Sequence, residues 1–421
     1  MHRRTTGLIA AVVALGMTAT LAGCGSTGSD EVTLKLVAAD YGDSADNSSK
    51  KYWDDLVEEF ESKNSGIKVE VTVLPWTDVD AKVAEMAEKG EAPDMAQIGA
   101  YADHAAKDRL YTADELLSIS VQSDFLSPLT AAGEVKRVQY GIPFASSTRL
   151  LFYNKELFKA ADVEPPTTWN ELAAAAQSLK DTGVKTPFAL PLGPEEAQAE
   201  TMQWLLSGGS GYTDQIGTYT LDSPQNIDTF RWLKSELVAK DLTGPVPPQK
   251  LNRQKAFDAF ARGEVGMLNG HPTLMKQAEK GGVKYGMVPL PGVNGKAKAT
   301  MGVADWMMAF KANGHRDEIG TFLDFVYSEE KVLDFSARYD ILPVTSSAAE
   351  ALAADPKHKA LRAFLEELPT SELYPVGKTS WAKVSADIKK RIGATVERGG
   401  DPVTTLKEMQ NAAVAADNSA G

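Results

Sequence analysis

Cysteine is nearly absent: the 421-residue chain has one, at position 24. That count excludes a disulfide framework. Histidine is scarce as well, and His104, His271, His315 and His358 are scattered, so no metal site and no cofactor are expected. Basic residues are in deficit, 44 Lys and Arg against 57 Asp and Glu, for a formal charge of -13. No nucleic-acid partner is therefore expected, because holding phosphates takes clustered cations. Beyond Cys24 no apolar run approaches the length that crosses a bilayer. What remains is ordinary for a folded protein: 43% hydrophobic and 24% charged residues, in a length that suits two or three domains.

The single Cys ends the strongest hydrophobic segment. Arg3 and Arg4 form a basic start, Leu8 to Met17 an uncharged apolar run, and Leu21-Ala22-Gly23-Cys24 a small-residue cleavage site. This is the layout of an export signal. The Leu-Ala-Gly-Cys ending resembles the bacterial lipobox, which implies cleavage before Cys24 and diacylglycerol on its sulfur. An uncleaved anchor would need no Cys at that offset. We expect a signal over 1–23 and a flexible tether over 24–31, where Gly25-Ser26-Thr27-Gly28-Ser29-Asp30 is small and polar. Losing Arg3 and Arg4 leaves a still more acidic body outside the membrane.

Along that body the hydrophobic period switches between two and 3.6. Val32, Leu34 and Leu36 alternate with polar residues, as do Ile67, Val69, Val71 and Val73, and both runs read as strands. Between them Tyr52, Trp53, Leu56 and Phe60 recur at helical spacing behind Ser48 or Ser49, either able to cap. A helix from about 78 to 89 and a short strand, Met95 to Ile98, follow. The alternation restarts at Leu150 to Tyr153, and Thr168-Trp169-Asn170-Glu171 fits a capping box. Ser223-Pro224 starts another helix, and the tail is helical. Strands alternating with helices predict α/β lobes, each a mainly parallel sheet flanked by helices.

Gly141-Ile142-Pro143-Phe144, Leu151-Phe152-Tyr153-Asn154-Lys155 and Pro165-Pro166-Thr167-Thr168-Trp169-Asn170-Glu171-Leu172 resemble the solute-binding proteins of carbohydrate ABC importers, relatives of the maltose-binding protein. Ala92-Pro93-Asp94-Met95, the Phe260 to Met267 segment, Pro289-Leu290-Pro291-Gly292, Phe322-Leu323-Asp324-Phe325 and Leu342-Pro343-Val344 agree in order. The resemblance implies a two-lobed fold with the ligand cleft between lobes and chain crossings near 144–149, 300–306 and 342–345. Lobe one would hold 32–146 plus 303–343, and lobe two 147–302 plus 344–421. It also implies a carbohydrate ligand, permease partners, membrane attachment through Cys24 and a monomer. No catalysis is expected.

A polyhydroxyl ligand calls for planar hydrogen-bonding groups and aromatic faces. Candidates are Asp40 and Tyr41 after the first strand, Trp76 and Tyr101 after the next two, and Ser147 and Arg149 on the first crossing. Ser147 stands where the maltose binder has a carboxylate, which puts maltose itself in doubt. Glu200, His271, Asp305, Trp306, Tyr374 and Trp381 complete the set, with Asp305 and Trp306 favoured as a carboxylate–aromatic pair. Each has a bland alternative: a turn for Asp40, a helix cap for Trp76, an interlobe ion pair for Arg149, core packing for Trp381. Two rival functions stay open here. One is an exported carbohydrate-active enzyme using two carboxylates, although G-x-S-x-G, H-E-x-x-H and P-loop motifs are missing and three Ser-x-x-Lys matches lack companions. The other is the same fold holding a polyol or an amino acid, the latter paired by Arg149 and Asp305.

Overall fold

The computed structural model describes residues 31–42 and 47–420; the signal, most of the tether and Cys24 lie outside that range. Among the described residues eleven strands form two main sheets and one hairpin. In chain order they are β1 (Val32–Ala39), β2 (Ile67–Leu74), β3 (Met95–Ile98), β4 (Glu134–Val135), β5 (Val138–Gln139), β6 (Ile142–Ser147), β7 (Leu150–Asn154), β8 (Thr186–Phe188), β9 (Val265–Gly270), β10 (Tyr285–Val288) and β11 (Val303–Ala309).

The first sheet has the order β2-β1-β3-β11-β6. β1 is parallel to β2 and β3, as helical crossovers require. β11 runs antiparallel to β3 and to β6. The second sheet, β10-β7-β9-β8, has one parallel pair, β8 with β9, and two antiparallel ones. The mainly parallel sense expected for each lobe is thus confined to the neighbours of β1 and to β8–β9. β7 and β11 each arrive from the opposite sheet rather than through a local βαβ unit. Only Thr148 and Arg149 separate β6 in one sheet from β7 in the other, so they form the first crossing. The chain returns between β10 and β11, and Leu342 bridges to Ser146 beside the first crossing.

Local sequence accounts for the helix starts. Ser48 accepts from Lys51 N to open the Ser49–Lys63 helix, which buries Tyr52, Trp53, Leu56 and Phe60. Thr168 and Glu171 form the reciprocal capping box of the Trp169–Asp181 helix. The segment 344–368, just past the expected boundary at 343/344, packs against both sheets. Leu126 N donates to Val344 O and Ser347 N to Asp124, while Thr148 Oγ1 donates to Phe364 O and the Phe364 ring lies 6.1 Å from Phe152. That stretch therefore buttresses both sheets, and its buried Leu352, Leu361, Phe364 and Leu368 share one hydrophobic core with Leu36 of β1, Trp306 of β11 and Phe152 of β7. Close packing also explains Gly141 of the Gly-Ile-Pro-Phe block: a Cβ there would sit 2.8 Å from the Tyr101 ring. Among the described residues no helix is long and apolar enough to cross a membrane.

Candidate functional site

The ends of β1, β3 and β11 bring the first group together. Gln97 is fixed in orientation, its Oε1 accepting from Ala39 N at 3.0 Å. Its Nε2 donates to Tyr41 Oη at 2.9 Å, and Tyr41 Oη donates to Asp305 Oδ2 at 2.7 Å. Burial and the Asp305 charge push the Tyr41 phenol well up. Burial likewise pushes the Asp305 carboxyl up to about 7, against the opposing Tyr41 hydrogen bond and with a small addition from Asp80. Asp80 is raised by burial too, while its Oδ1 accepts from Gly99 N at 2.9 Å. Trp76 stands edge-on to Tyr41, ring centroids 5.4 Å apart, and is 36% exposed. An accessible aromatic face beside two carboxyls is what a sugar ring needs.

The second group forms where the first crossing meets the second sheet. Arg149 is buried; it donates to Ser147 Oγ at 3.0 Å and to Glu196 Oε1 at 3.3 Å. Arg253 donates to Glu195 at 2.9 Å and its Nε also meets Glu196, so two guanidiniums and two carboxylates neutralise one another. Burial draws Arg149 below its ordinary value. His271 lies over the Phe257 ring at 5.0 Å. Its Nε2 is 3.5 Å from Arg253 Nη1, which can only donate, and its Nδ1 is 2.8 Å from Thr273 Oγ1. This assigns the neutral ring with the proton on Nδ1. Burial, then Arg149 and Arg253, hold His271 well below its ordinary value. Tyr374 stacks on Trp381 at 5.2 Å, and its phenol is raised by burial and by Glu196.

The two groups meet through the first sheet. Ser147 faces Val303 across the β6–β11 ladder, two residues from Asp305. That offset is about 7 Å along the strand. The structure thus brings Tyr41, Trp76 and Asp305 to one side, and Ser147, Arg149, His271 and Tyr374 to the other.

The remaining candidates are placed differently. Trp306 is fully buried and packs on Tyr101 at 5.1 Å, so the expected Asp305–Trp306 pair is split: successive strand residues point to opposite faces. Tyr101, 1% exposed, donates to Ala132 O and is core. Asp40 serves its turn, Oδ1 accepting from Gly42 N and Ser49 N. Trp381 is buried between Tyr374 and Tyr212 and backs the Tyr374 ring rather than facing outward. Glu200, 4% exposed, lies beneath the surface; its Oε1 accepts from Trp204 Nε1 at 2.8 Å and Asn269 Nδ2 at 3.0 Å, and burial pushes it up to about 8.

Sequence reasoning missed Asp80, Gln97, Glu196, Gln203 and Arg253. Asp80 and Arg253 lie in helices whose charges read as solvated faces, and Gln97 interrupts a short apolar strand. The adjacent Glu195-Glu196 just before a helix was the one visible signal. Among the described residues no group of three or more His, Cys, Asp or Glu is placed to hold a metal ion.

The sequence profile of the bacterial extracellular solute-binding proteins matches residues 44–332. A binding protein of Brucella abortus (strain 2308) is 28% identical over 370 residues, 85% of this chain and 87% of its own length. The sn-glycerol-3-phosphate-binding periplasmic protein of Salmonella typhimurium is 24% identical over 221 residues, 49% of each chain. Among solved structures, the cyclic alpha-maltosyl-1,6-maltose binding protein of Arthrobacter globiformis superposes with a TM-score of 0.77 at 18% identity, covering 92% of this chain and 99% of that one. The GacH receptor of Streptomyces glaucescens, solved with acarbose, gives 0.75 at 20% identity, covering 93% and 100%. These two likenesses establish the two-lobed fold.

Proposed function

The chain belongs to the bacterial extracellular solute-binding proteins, and from that premise we propose that it captures a neutral sugar or oligosaccharide between two lobes and delivers it to an ABC permease. The lobes are 32–146 plus 303–343 and 147–302 plus 344–421, with 344–368 packed against both. Processing before Cys24 and lipidation of its sulfur tether the monomer to the outer face of the membrane. No catalytic step is proposed.

The observation that carries this reading is the pair of polar and aromatic half-sites gathered on either side of the crossing at Thr148 and Arg149. Tyr41, Trp76 and Asp305 supply an aromatic face and a carboxyl. Ser147, Arg149, His271 and Tyr374 supply donors, an acceptor and a second ring. A ligand touching both stabilises the closed state by its contacts with the second half-site, and closure selects the form that docks on a permease. Several structural neighbours bind glycans, which agrees. The balanced charge of Arg149 and Arg253 against Glu195 and Glu196 favours a neutral ligand over the phosphate of the glycerol-phosphate relative.

Thermal denaturation of the purified protein against mono- and oligosaccharides, polyols, amino acids and sn-glycerol 3-phosphate tests it. A neutral saccharide at 100 times its Kd should stabilise by about 2.7 kcal/mol. A shift produced by an amino acid alone, or a saturating sugar that leaves the small-angle scattering profile unchanged, would refute the reading.

A further inference from the structure

Gln203 lies on the Ala197–Ser207 helix and is 3% exposed. It lines a cavity of about 10 Å³ whose wall also includes Arg149, Glu196, Glu200, Arg253 and His271. That is the lower limit for one water-sized group. Gln203 Nε2 donates to Ala199 O at 3.4 Å, which fixes the amide's orientation, and Gln203 Oε1 has no partner. Unpaired buried acceptors are rare in folded proteins and point to a missing donor. Of the wall's other polar groups, Arg149 and Arg253 pair with Glu195 and Glu196 and Glu200 accepts from Trp204 and Asn269, while Arg253 Nε, close to Glu196, makes no hydrogen bond.

The chemistry of the wall selects the occupant. A carboxylate or phosphate offers no proton to Gln203 Oε1 and meets the Glu196 charge. An ammonium offers protons but meets the Arg149 and Arg253 guanidiniums. A hydroxyl does both things required, donating to the amide oxygen and accepting from a guanidinium N–H. We propose that this cavity is a hydroxyl pocket of the ligand site, entered by a single O–H of a bound neutral sugar, with Gln203 as the residue that reads it. The inference rests on the sugar-binding reading above and adds a specificity: one hydroxyl position is obligatory, and charged substituents are rejected there.

Isothermal titration of the purified protein tests it. The probes are glucose, galactose, maltose, trehalose and cellobiose, with glucuronate, glucosamine and glucose 6-phosphate as charged counterparts. Monodeoxy analogues of the tightest neutral binder are then titrated into the natural protein and into Gln203→Leu. One deoxy position should weaken binding to the natural protein by about 10- to 100-fold, the range for an orphaned buried hydrogen-bonding group. Gln203→Leu should weaken the parent sugar comparably and abolish the penalty at that position alone. Equal penalties in both proteins at every position would overturn the inference and leave the cavity to a resident water. A charged counterpart that carries its charge at that same position and binds tighter than the neutral sugar would overturn it as well, with sugar capture intact. Binding by no saccharide at all would overturn the sugar reading and this inference with it. If circular dichroism shows Gln203→Leu misfolded, Gln203→Met, close in volume and lacking the amide oxygen, takes its place with the same two outcomes.

Discussion

Replacing Asp305 by Asn keeps the side chain's shape and its acceptor for Tyr41 Oη and removes only the ionisation. In the native protein this carboxyl titrates at about 7 against an ordinary 3.8. A raised folded value means that the native state holds the proton more tightly than the unfolded chain does. Below about pH 3 both states are protonated and the full stability is present. As the pH rises from 4 to 7 the unfolded chain ionises first and stability is lost; above 7 both are ionised and the loss is complete. The gap between 3.8 and about 7 converts to a ceiling of about 4 kcal/mol. Because Asp305 is only partly buried, about 2 kcal/mol is the expected size. The amide introduced by Asp305→Asn cannot ionise, so the stability of D305N relative to the natural protein should rise by that amount between about pH 3.5 and 7.5, then level off. Guanidinium denaturation followed by fluorescence of the seven Trp residues at several pH values measures it. Most other titrating groups are common to both proteins and cancel in the difference. Parallel pH profiles, or a gap that shrinks as pH rises, would refute the buried-carboxyl argument.

The same reasoning makes Glu200, pushed up to about 8, a neutral acid at pH 7. Glu200→Gln, which cannot ionise in either state, should therefore gain stability on the natural protein as the pH rises from 4.5 to 8 and level off above 8. Glu200→Ala orphans Trp204 Nε1 and Asn269 Nδ2 and should cost about 2–4 kcal/mol; equal midpoints for the two variants in thermal denaturation would contradict this. Gly133 has no room for a side chain, since a Cβ would lie 2.1 Å from Gly141 O. Gly133→Ala should lose about 1–3 kcal/mol through overpacking, read as a lower denaturation midpoint, and an unchanged midpoint would refute the close approach.

The parts of the fold legible in advance are those governed by local rules. The strand at Met95–Ile98, the Ser48 cap and the Thr168–Glu171 capping box follow from neighbours within four residues. Sheet sense did not follow, because β11 reaches its place beside β3 and β6 from more than a hundred residues away. The candidate site divided along the same line. Tyr41, Trp76, Arg149 and Asp305 were visible as polar or aromatic residues at strand ends and a crossing. Trp306 and Trp381 carried the same local signal and proved to be core, since which face of an element meets solvent depends on what packs against the other face.

By itself the sequence determined the kind of protein: its family, its α/β character and an acidic composition with a single Cys. Those properties reside in composition, order and short-range pattern. Tertiary structure alone decided which polar groups meet. It put Gln97 behind Tyr41, set Arg149 and Arg253 against Glu195 and Glu196, and left Gln203 Oε1 without a donor. Hydrogen bonding and desolvation act over a few ångströms of space, whatever the separation along the chain. The carboxyl raised to about 7 and the amide lacking a partner are consequences of that proximity.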